Sequence, residues 1–376
     1  MQGKATSFKF FVTVMTIVQI NLQHCKAASA ELSRKFAQDN LEIALIQEPY
    51  IYNNKVVGLN SVGDVIYQPG NQKPRTCIVI RRDLNYLTLN EFCTGDETAI
   101  KINLKNTDNS NLELVLCSAY FPYDSLKPPP SENLQNLVGF CRKKNLHLLI
   151  ACDANAHNVA WGCKDTNERG THVMDFVLVN SLNILNSGNE PTFANAIRTE
   201  ILDLTLCTRF LRTKISNWHV SDEMSLSDHR YVQFVINAGK KEKTYFRNPK
   251  KTEWSSYNKS LSQKLESLNL KINNIQELNI YADKLRIAIT SSFEENCPLN
   301  VINSNRSCPW YNSHLAELRR NVRKLWNKSK KKLLSGLKND PIVLKYRQEL
   351  TNYGNEVKKA KRLSWQERCQ EISNTD

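Results

Sequence analysis

Leu149-Ile150-Ala151-Cys152-Asp153-Ala154-Asn155-Ala156-His157 and, further on, Ser227-Asp228-His229 decide how the chain is read. The first stretch reads as an apolar strand ending in Asp-x-Asn. Alternate strand positions face one side, so a carboxylate and an amide would reach a sheet rim together. The second stretch offers another carboxylate and an imidazole for the same rim. Phosphodiester cleavage needs such groups in one place: a cation site, a base for water and donors for the developing phosphate charge.

Working outward, residues 10–237 alternate short apolar runs with polar loops. Strands are expected at Val12–Ile20, Ile43–Gln47, Val62–Tyr67, Thr76–Ile80, Thr98–Ile102, Leu112–Ala119, His147–Cys152, Ile201–Leu206 and Tyr231–Ile236. Apolar spacing near 3.6 predicts helices at Ala27–Gln38, Asn133–Lys144 and Thr171–Val179, with Ser131 capping the second. Many strands with a few crossover helices predict an α/β fold, a four-layer sandwich of two packed, mainly antiparallel sheets flanked by helices. The regular βαβ period of a barrel is missing, as is any GxGxxG or Walker A sequence.

Near Ala238–Lys250 the pattern changes to a lysine-rich junction with Gly239 and Pro249. Helical stretches follow at Trp254–Leu268, Ile275–Ser292, Tyr311–Leu337 and Pro341–Gln370. Two domains are therefore expected: residues 1–238, and an all-helical basic extension over 239–376. Charge follows the same division. Residues 1–238 carry 23 Lys and Arg against 23 Asp and Glu, while residues 239–376 carry 28 against 14. The net charge of +14 sits in the C-terminal third and points to a polyanionic partner, nucleic acid.

Eleven cysteines without a CxxC pair exclude a zinc framework and a disulfide scaffold, and suit a reduced intracellular protein. Lys4 and Lys9, the apolar run Phe10–Ile20 and Ala27-Ala28-Ser29-Ala30 imitate a secretory signal. Gln19 and Asn21–His24 interrupt the expected cleavage region, and the run is too short to span a membrane. Its alternation reads equally well as a buried strand.

The remaining candidates each have a plain structural reading. Glu48 ends a strand ahead of Pro49, where a hard-cation ligand belongs, yet alone it reads as a surface charge. Asn21 ends the first strand; it could hydrogen-bond a metal-bound water or a carboxylate, or simply turn the chain. Tyr120 is either a phosphate-facing hydroxyl or a core ring. Asp203 is a charge inside an apolar strand and calls for a partner. His229 is the natural one, because a carboxylate fixes an imidazole's tautomer. Asp228 is then free to help hold a cation.

The order Asn21, Glu48, Tyr120, Asp153-x-Asn155, Asp203, Ser227-Asp228-His229 resembles that of the endonuclease/exonuclease/phosphatase superfamily. The chain is similar, more closely, to the apurinic-type endonuclease domain of R1/Jockey-like non-LTR retrotransposons. Gln19–His24, Ile46–Tyr50, Asp153–His157 with Trp161-Gly162 and Asn167–Gly170, Pro191-Thr192-Phe193 and Leu202–Thr205 carry that resemblance. It favours the buried-strand reading of the N-terminus over a secretory signal. It implies a Mg²⁺-dependent endonuclease, with Mn²⁺ as the alternative ion, that nicks double-stranded DNA and leaves a 3′-hydroxyl for reverse transcription. Glu48 would bind the metal, with Asn21 and Asp228 supporting it. Asp153 would orient or deprotonate water or protonate the leaving oxygen. Asn155 and Tyr120 would position the phosphate, and His229, aligned by Asp203, would contact it. Asp153 and His229 both stay open as the base. Cys308-Pro309-Trp310-Tyr311-Asn312 resembles the linker ahead of the reverse transcriptase in such polyproteins, and no Tyr-x-Asp-Asp follows, so the chain reads as truncated before that domain. An intracellular protein acting in the nucleus is expected, with no membrane partner and with element RNA as a second ligand of the basic helices. The alternatives are a non-catalytic nucleic-acid-binding remnant and a phosphatase of the same fold.

Overall fold

Ile17 and Val18 show how the molecule is layered. The computed structural model describes residues 13–70, 73–105, 111–195, 197–238, 245–268, 274–301 and 308–373. Both residues lie in the strand Thr13–Asn21 and both are fully buried. Adjacent strand positions face opposite sides. Ile17 therefore joins Leu45, Leu116, Leu149 and Phe234 between two sheets, whereas Val18 meets Leu32 and Phe36 of α1 (Lys26–Gln38). On the second sheet Ile150 and Cys152 face outward. They pack with Leu134 and Val138 of α2 (Glu132–Lys143) and Val173 and Phe176 of α3 (Glu168–Val179). The result is the expected four-layer α/β sandwich.

The first sheet runs Ile215–Val220, Val232–Ala238, Thr13–Asn21, Ile43–Gln47, Thr76–Ile80, Asp64–Ile66. The second runs Leu182–Ile184, Asp203–Thr208, His147–Asp153, Asn111–Tyr120, Glu97–Lys105, Tyr86–Thr88. Each contains one parallel pair among antiparallel ones, and a helix makes each parallel crossover: α1 in the first sheet, α2 in the second. The short helix α4 (Arg209–Lys214) carries the chain from one sheet to the other. Ser131 caps α2 as expected, its Oγ accepting from the Leu134 N–H at 3.1 Å.

Buried amides also join the sheets at one end. Gln19 Nε2 donates to the carbonyls of Cys152 and Leu204 at 3.2 Å, and its Oε1 accepts from Thr205 Oγ1 at 2.9 Å. Gln47 Nε2 donates to Ser118 Oγ and to the Ala151 carbonyl at 3.0 Å.

Nine strands were expected, and each has a counterpart. Asp203 opens its strand rather than lying inside it, because Ile201-Leu202 precede the ladder. Polar strands such as Ile215–Val220 carry no apolar run and escape a reading by hydropathy. The extension is not all-helical: Tyr245–Arg247 and Leu299–Val301 pair as short strands. Residues 1–12, including Lys4 and Lys9, and residues 239–244 of the junction lie outside the described residues.

Residues 306–376 fall in one compact unit with residues 1–241, and residues 242–305 form a second. In the second unit α5 (Trp254–Glu266) pairs with α6 (Ile275–Asn296), where Lys264 bonds Ser291 and Glu295 at 2.8 Å. In the first unit α7 (Ser313–Leu334) and α8 (Pro341–Ser373) form a hairpin on α1. Ala30 meets Leu315, Val322, Tyr353 and Val357 there. Glu31, fully buried, accepts from Arg34 at 2.7 Å, Arg319 at 3.0 Å and the Tyr353 hydroxyl at 2.8 Å. Glu223 takes Arg319 at 3.0 Å and Lys35 at 3.2 Å. Buried charge is tolerated only when paired in this way.

Glu31→Gln leaves the buried Arg34 without its nearest countercharge, with only Glu223 at 3.9 Å, and is expected to destabilise the protein by about 3–5 kcal/mol. Tyr353→Phe removes one bond to that carboxylate, at a cost of about 1.5 kcal/mol. Urea unfolding measures both; an unmoved midpoint would show that apolar packing alone holds the hairpin.

Candidate active site

Both parallel strand pairs end at the same edge of the sandwich. Asn21 pairs with Gln47 in one sheet, and Asp153 pairs with Tyr120 and Asp203 in the other. Three chain turns leave this edge with four residues in the left-handed region: Gln23 (φ 49°), His24 (φ 51°), Glu48 (φ 45°) and Asn155 (φ 44°). Such backbone is uncommon outside glycine and costs energy that the surroundings must offset.

Asn21 crosses between the sheets. Its Nδ2 donates to Asp153 Oδ2 at 2.8 Å, while its Oδ1 accepts from the Gln23 N–H at 2.8 Å. Of the partners the sequence offered this amide, the structure shows the carboxylate. Asp203 Oδ2 accepts from His229 Nδ1 at 2.8 Å, and His229 Nε2 stands 4.0 Å from Asp153 Oδ2. Asp153, Asp203 and His229 are all nearly inaccessible. Asp203 Oδ1 has no hydrogen-bond partner among the described residues. The Tyr120 hydroxyl lies beside the Glu48 carboxylate, which is 21% exposed. Asp228 sits half-buried on the rim, its N–H donating to Gln23 Oε1 at 2.9 Å.

Asn155 departs from the strand-alternation expectation. The strand stops at Asp153, and a turn places Asn155 instead. Its N–H points to Asp153 Oδ1 at 3.3 Å, and its Nδ2 donates to the Phe121 carbonyl at 3.2 Å. The side-chain nitrogen thus ties two loops together.

The electrostatics follow from burial. Burial raises the proton affinity of Asp153; the His229 charge opposes it, and the Asp203 carboxylate adds to it. The net pKa lies above the usual carboxylate range. Burial also disfavours the His229 imidazolium, but the charge and hydrogen bond of Asp203 outweigh it, so His229 holds its proton above the ordinary histidine value of 6.5. Burial, with Glu48 and then Asp153, pushes the Tyr120 hydroxyl up as well.

Several participants were given no role in the site by the sequence reading. Thr192 Oγ1 accepts from the N–H groups of Leu202 and Asp203 at 3.0 Å, fixing the start of that strand. The Phe193 ring stands edge-on to the His229 imidazole at 4.9 Å. Arg75 lies over the Tyr120 ring at 5.2 Å and pairs with Asp96. Arg169 Nε donates to the Asn155 carbonyl at 2.9 Å and its Nη2 to that of Phe121 at 3.2 Å. The neighbouring Gly170 was the available signal, since a Cβ there would lie 1.7 Å from the His157 carbonyl oxygen. Only glycine lets α3 start against that loop.

Hard oxygen donors suit a hard cation. Among the described residues no three His, Cys, Asp or Glu side chains gather as a metal-binding cluster. Mg²⁺ does not require one. It keeps several waters and is held by one or two carboxylates with substrate phosphate oxygens. Glu48 and Asp228 fit that donor set.

The endonuclease–reverse transcriptase family matches residues 114–233. No curated protein matches the chain. Among solved structures, the endonuclease domain of TRAS1, a telomere-specific non-LTR retrotransposon, is 28% identical with a TM-score of 0.50, covering 59% of this chain and 98% of that one. The catalytic domain of Xenopus laevis APE2 is similar at 12% identity and TM-score 0.42, covering 60% and 92%. An AP endonuclease from Leishmania major is similar at 10% identity and TM-score 0.46, covering 60% and 88%. The family match spans Tyr120, Asp153, Asp203 and His229, and together with the likeness to the TRAS1 domain it supports an endonuclease of the endonuclease/exonuclease/phosphatase superfamily, of the retrotransposon type.

Proposed function

We propose that the protein is a Mg²⁺-dependent endonuclease that nicks one strand of double-stranded DNA by phosphodiester hydrolysis, leaving a 3′-hydroxyl that primes reverse transcription of element RNA. Residues 1–238 are the proposed nuclease domain, and chromosomal DNA in the nucleus the proposed site of action. The observation that carries the reading is the meeting of Asn21, Glu48, Tyr120, Asp153, Asp203 and His229 at one rim of the sandwich.

Glu48 and Asp228 would hold the cation, which supplies positive charge to the phosphate and the leaving oxygen. Asp203 keeps His229 protonated, so that Nε2 donates to a phosphate oxygen as charge develops there. Asp153, oriented by Asn21 and with raised proton affinity, takes the proton from the attacking water. Of the two candidates for the base, this arrangement favours Asp153, because His229 is already charged. The Tyr120 hydroxyl, braced by Arg75, faces the same rim and donates to the phosphate. Asn155 and Arg169 hold the loops that shape its seat.

Supercoiled plasmid tests the proposal. Wild type with Mg²⁺ is expected to yield nicked circles, and EDTA to abolish them. Asp153→Ala is expected to slow nicking by about 10²–10⁴-fold, the usual worth of a positioned acid–base group. Folded wild type that binds DNA without nicking it would leave the non-catalytic reading; phosphate release from inositol phosphates would favour the phosphatase.

The role given to Asp203 has its own check in the metal-free protein. Without the carboxylate the two largest raising influences are lost, and burial, which lowers a histidine pKa, is opposed only by Asp153 and Glu48. In Asp203→Asn the His229 imidazole is therefore expected to titrate lower than in wild type, where it titrates above 6.5, as read by NMR of the ring nitrogens. Equal titration in both proteins would remove Asp203 from this role.

A further inference from the structure

Beside the active-site rim lies a cleft of about 370 Å³. One wall is the loop Asp222–Asp228, which ends at the proposed cation ligand. The other wall is the α7–α8 hairpin, through Arg323, Trp326 and Arg347 among others. Most charge in the cleft is already committed. Arg319 pairs with Glu31 and Glu223, Lys330 with Asp222 at 2.8 Å, and Arg230 with Glu190 at 3.2 Å. The Arg230 guanidinium also lies over the Trp326 ring at 5.0 Å, which braces this wall.

Two cations remain. Arg323 is exposed and Arg347 half-buried, and neither side chain has an ion-pair or hydrogen-bond partner among the described residues. The acids facing them, Asp222 and Glu223, are held by Lys330, Lys35 and Arg319. The wall is strongly basic as a whole, since α7 carries eight Lys and Arg against one Glu. Guanidinium groups present planar forks that match phosphate oxygens, and an unpaired pair beside a phosphodiester site suits a continuous polyanion.

We infer that the α7–α8 hairpin is part of the nuclease's DNA-binding surface. Arg323 and Arg347 hold backbone phosphates of the DNA flanking the scissile bond, in a cleft that runs to Asp228. The inference rests on the nuclease reading above and adds a binding site outside the sandwich. These contacts are to phosphates, so they position the duplex without reading its sequence.

The test uses the full chain, a fluorescent DNA duplex and anisotropy in EDTA, so that binding is read apart from cleavage. Arg323→Glu/Arg347→Glu is expected to weaken binding about tenfold, and to reduce the slope of log affinity against log salt by about 1.8, at about 0.9 per phosphate. Arg323→Ala alone, at an exposed position with little effect on folding, should reduce the slope by about 0.9. In Mg²⁺ the double variant should raise the KM for nicking while leaving kcat within about twofold. Unchanged DNA affinity and slope in both variants would overturn the proposal, as would a loss confined to RNA binding. If wild type fails to nick plasmid while the variants still lose DNA affinity, the nuclease reading fails and the phosphate-binding cleft stands.

Discussion

Two buried glutamines hold the structure in the form that makes a site. Gln19 and Gln47 each reach from the first sheet to main-chain carbonyls of the second, at the end where both parallel strand pairs terminate. Apolar contacts between the sheets are non-directional and would tolerate a small slide of one sheet over the other. Amide hydrogen bonds fix donor and acceptor atoms, and leaving one unmade in the interior is costly. The register between sheets is therefore set within two residues of Asn21 and Asp153, whose own bond spans the same gap at 2.8 Å.

The same end concentrates charge. Two carboxylates and a histidine stand close together with little access to water. Such a group is stable only if its members shift their proton affinities or find partners. Asp203 and His229 partner each other, and Asp153 is left with Asn21 and an elevated affinity for a proton. A cation and a phosphate would complete the balance, as the proposed reaction requires.

A second charge network lies at the α1 surface, where Glu31, Arg34, Lys35, Glu223 and Arg319 are closed over by the α7–α8 hairpin. It ties the basic helices to the nuclease fold and, through the loop that begins near Glu223, to the rim carrying Asp228. The hairpin's charge is thereby divided in function. Arg319 and Lys330 anchor the hairpin, while Arg323 and Arg347 stay free for a partner.

Much of this was legible in the chain before it was folded. Apolar periodicity located the main strands and helices, because burial demands it of any layered α/β protein. The order of Asn21, Glu48, Tyr120, Asp153, Asp203 and His229 pointed to a candidate site through its resemblance to a known superfamily. What sequence spacing left undecided were relations across space. That Asn21 serves Asp153 depends on the distance between sheets. That Asn155 is placed by a turn depends on where the ladder stops. Arg169, Thr192 and Phe193 act through contacts with residues distant in sequence, and polar strands such as Ile215–Val220 gain their form from neighbours rather than from hydropathy. The helices after residue 308 read as a separate basic tail, yet Glu31 and Tyr353, 322 residues apart, meet at 2.8 Å. Local pattern determined the elements and the chemistry they carry; only tertiary packing, through directional bonds and paired buried charge, decided which of those groups act on one another.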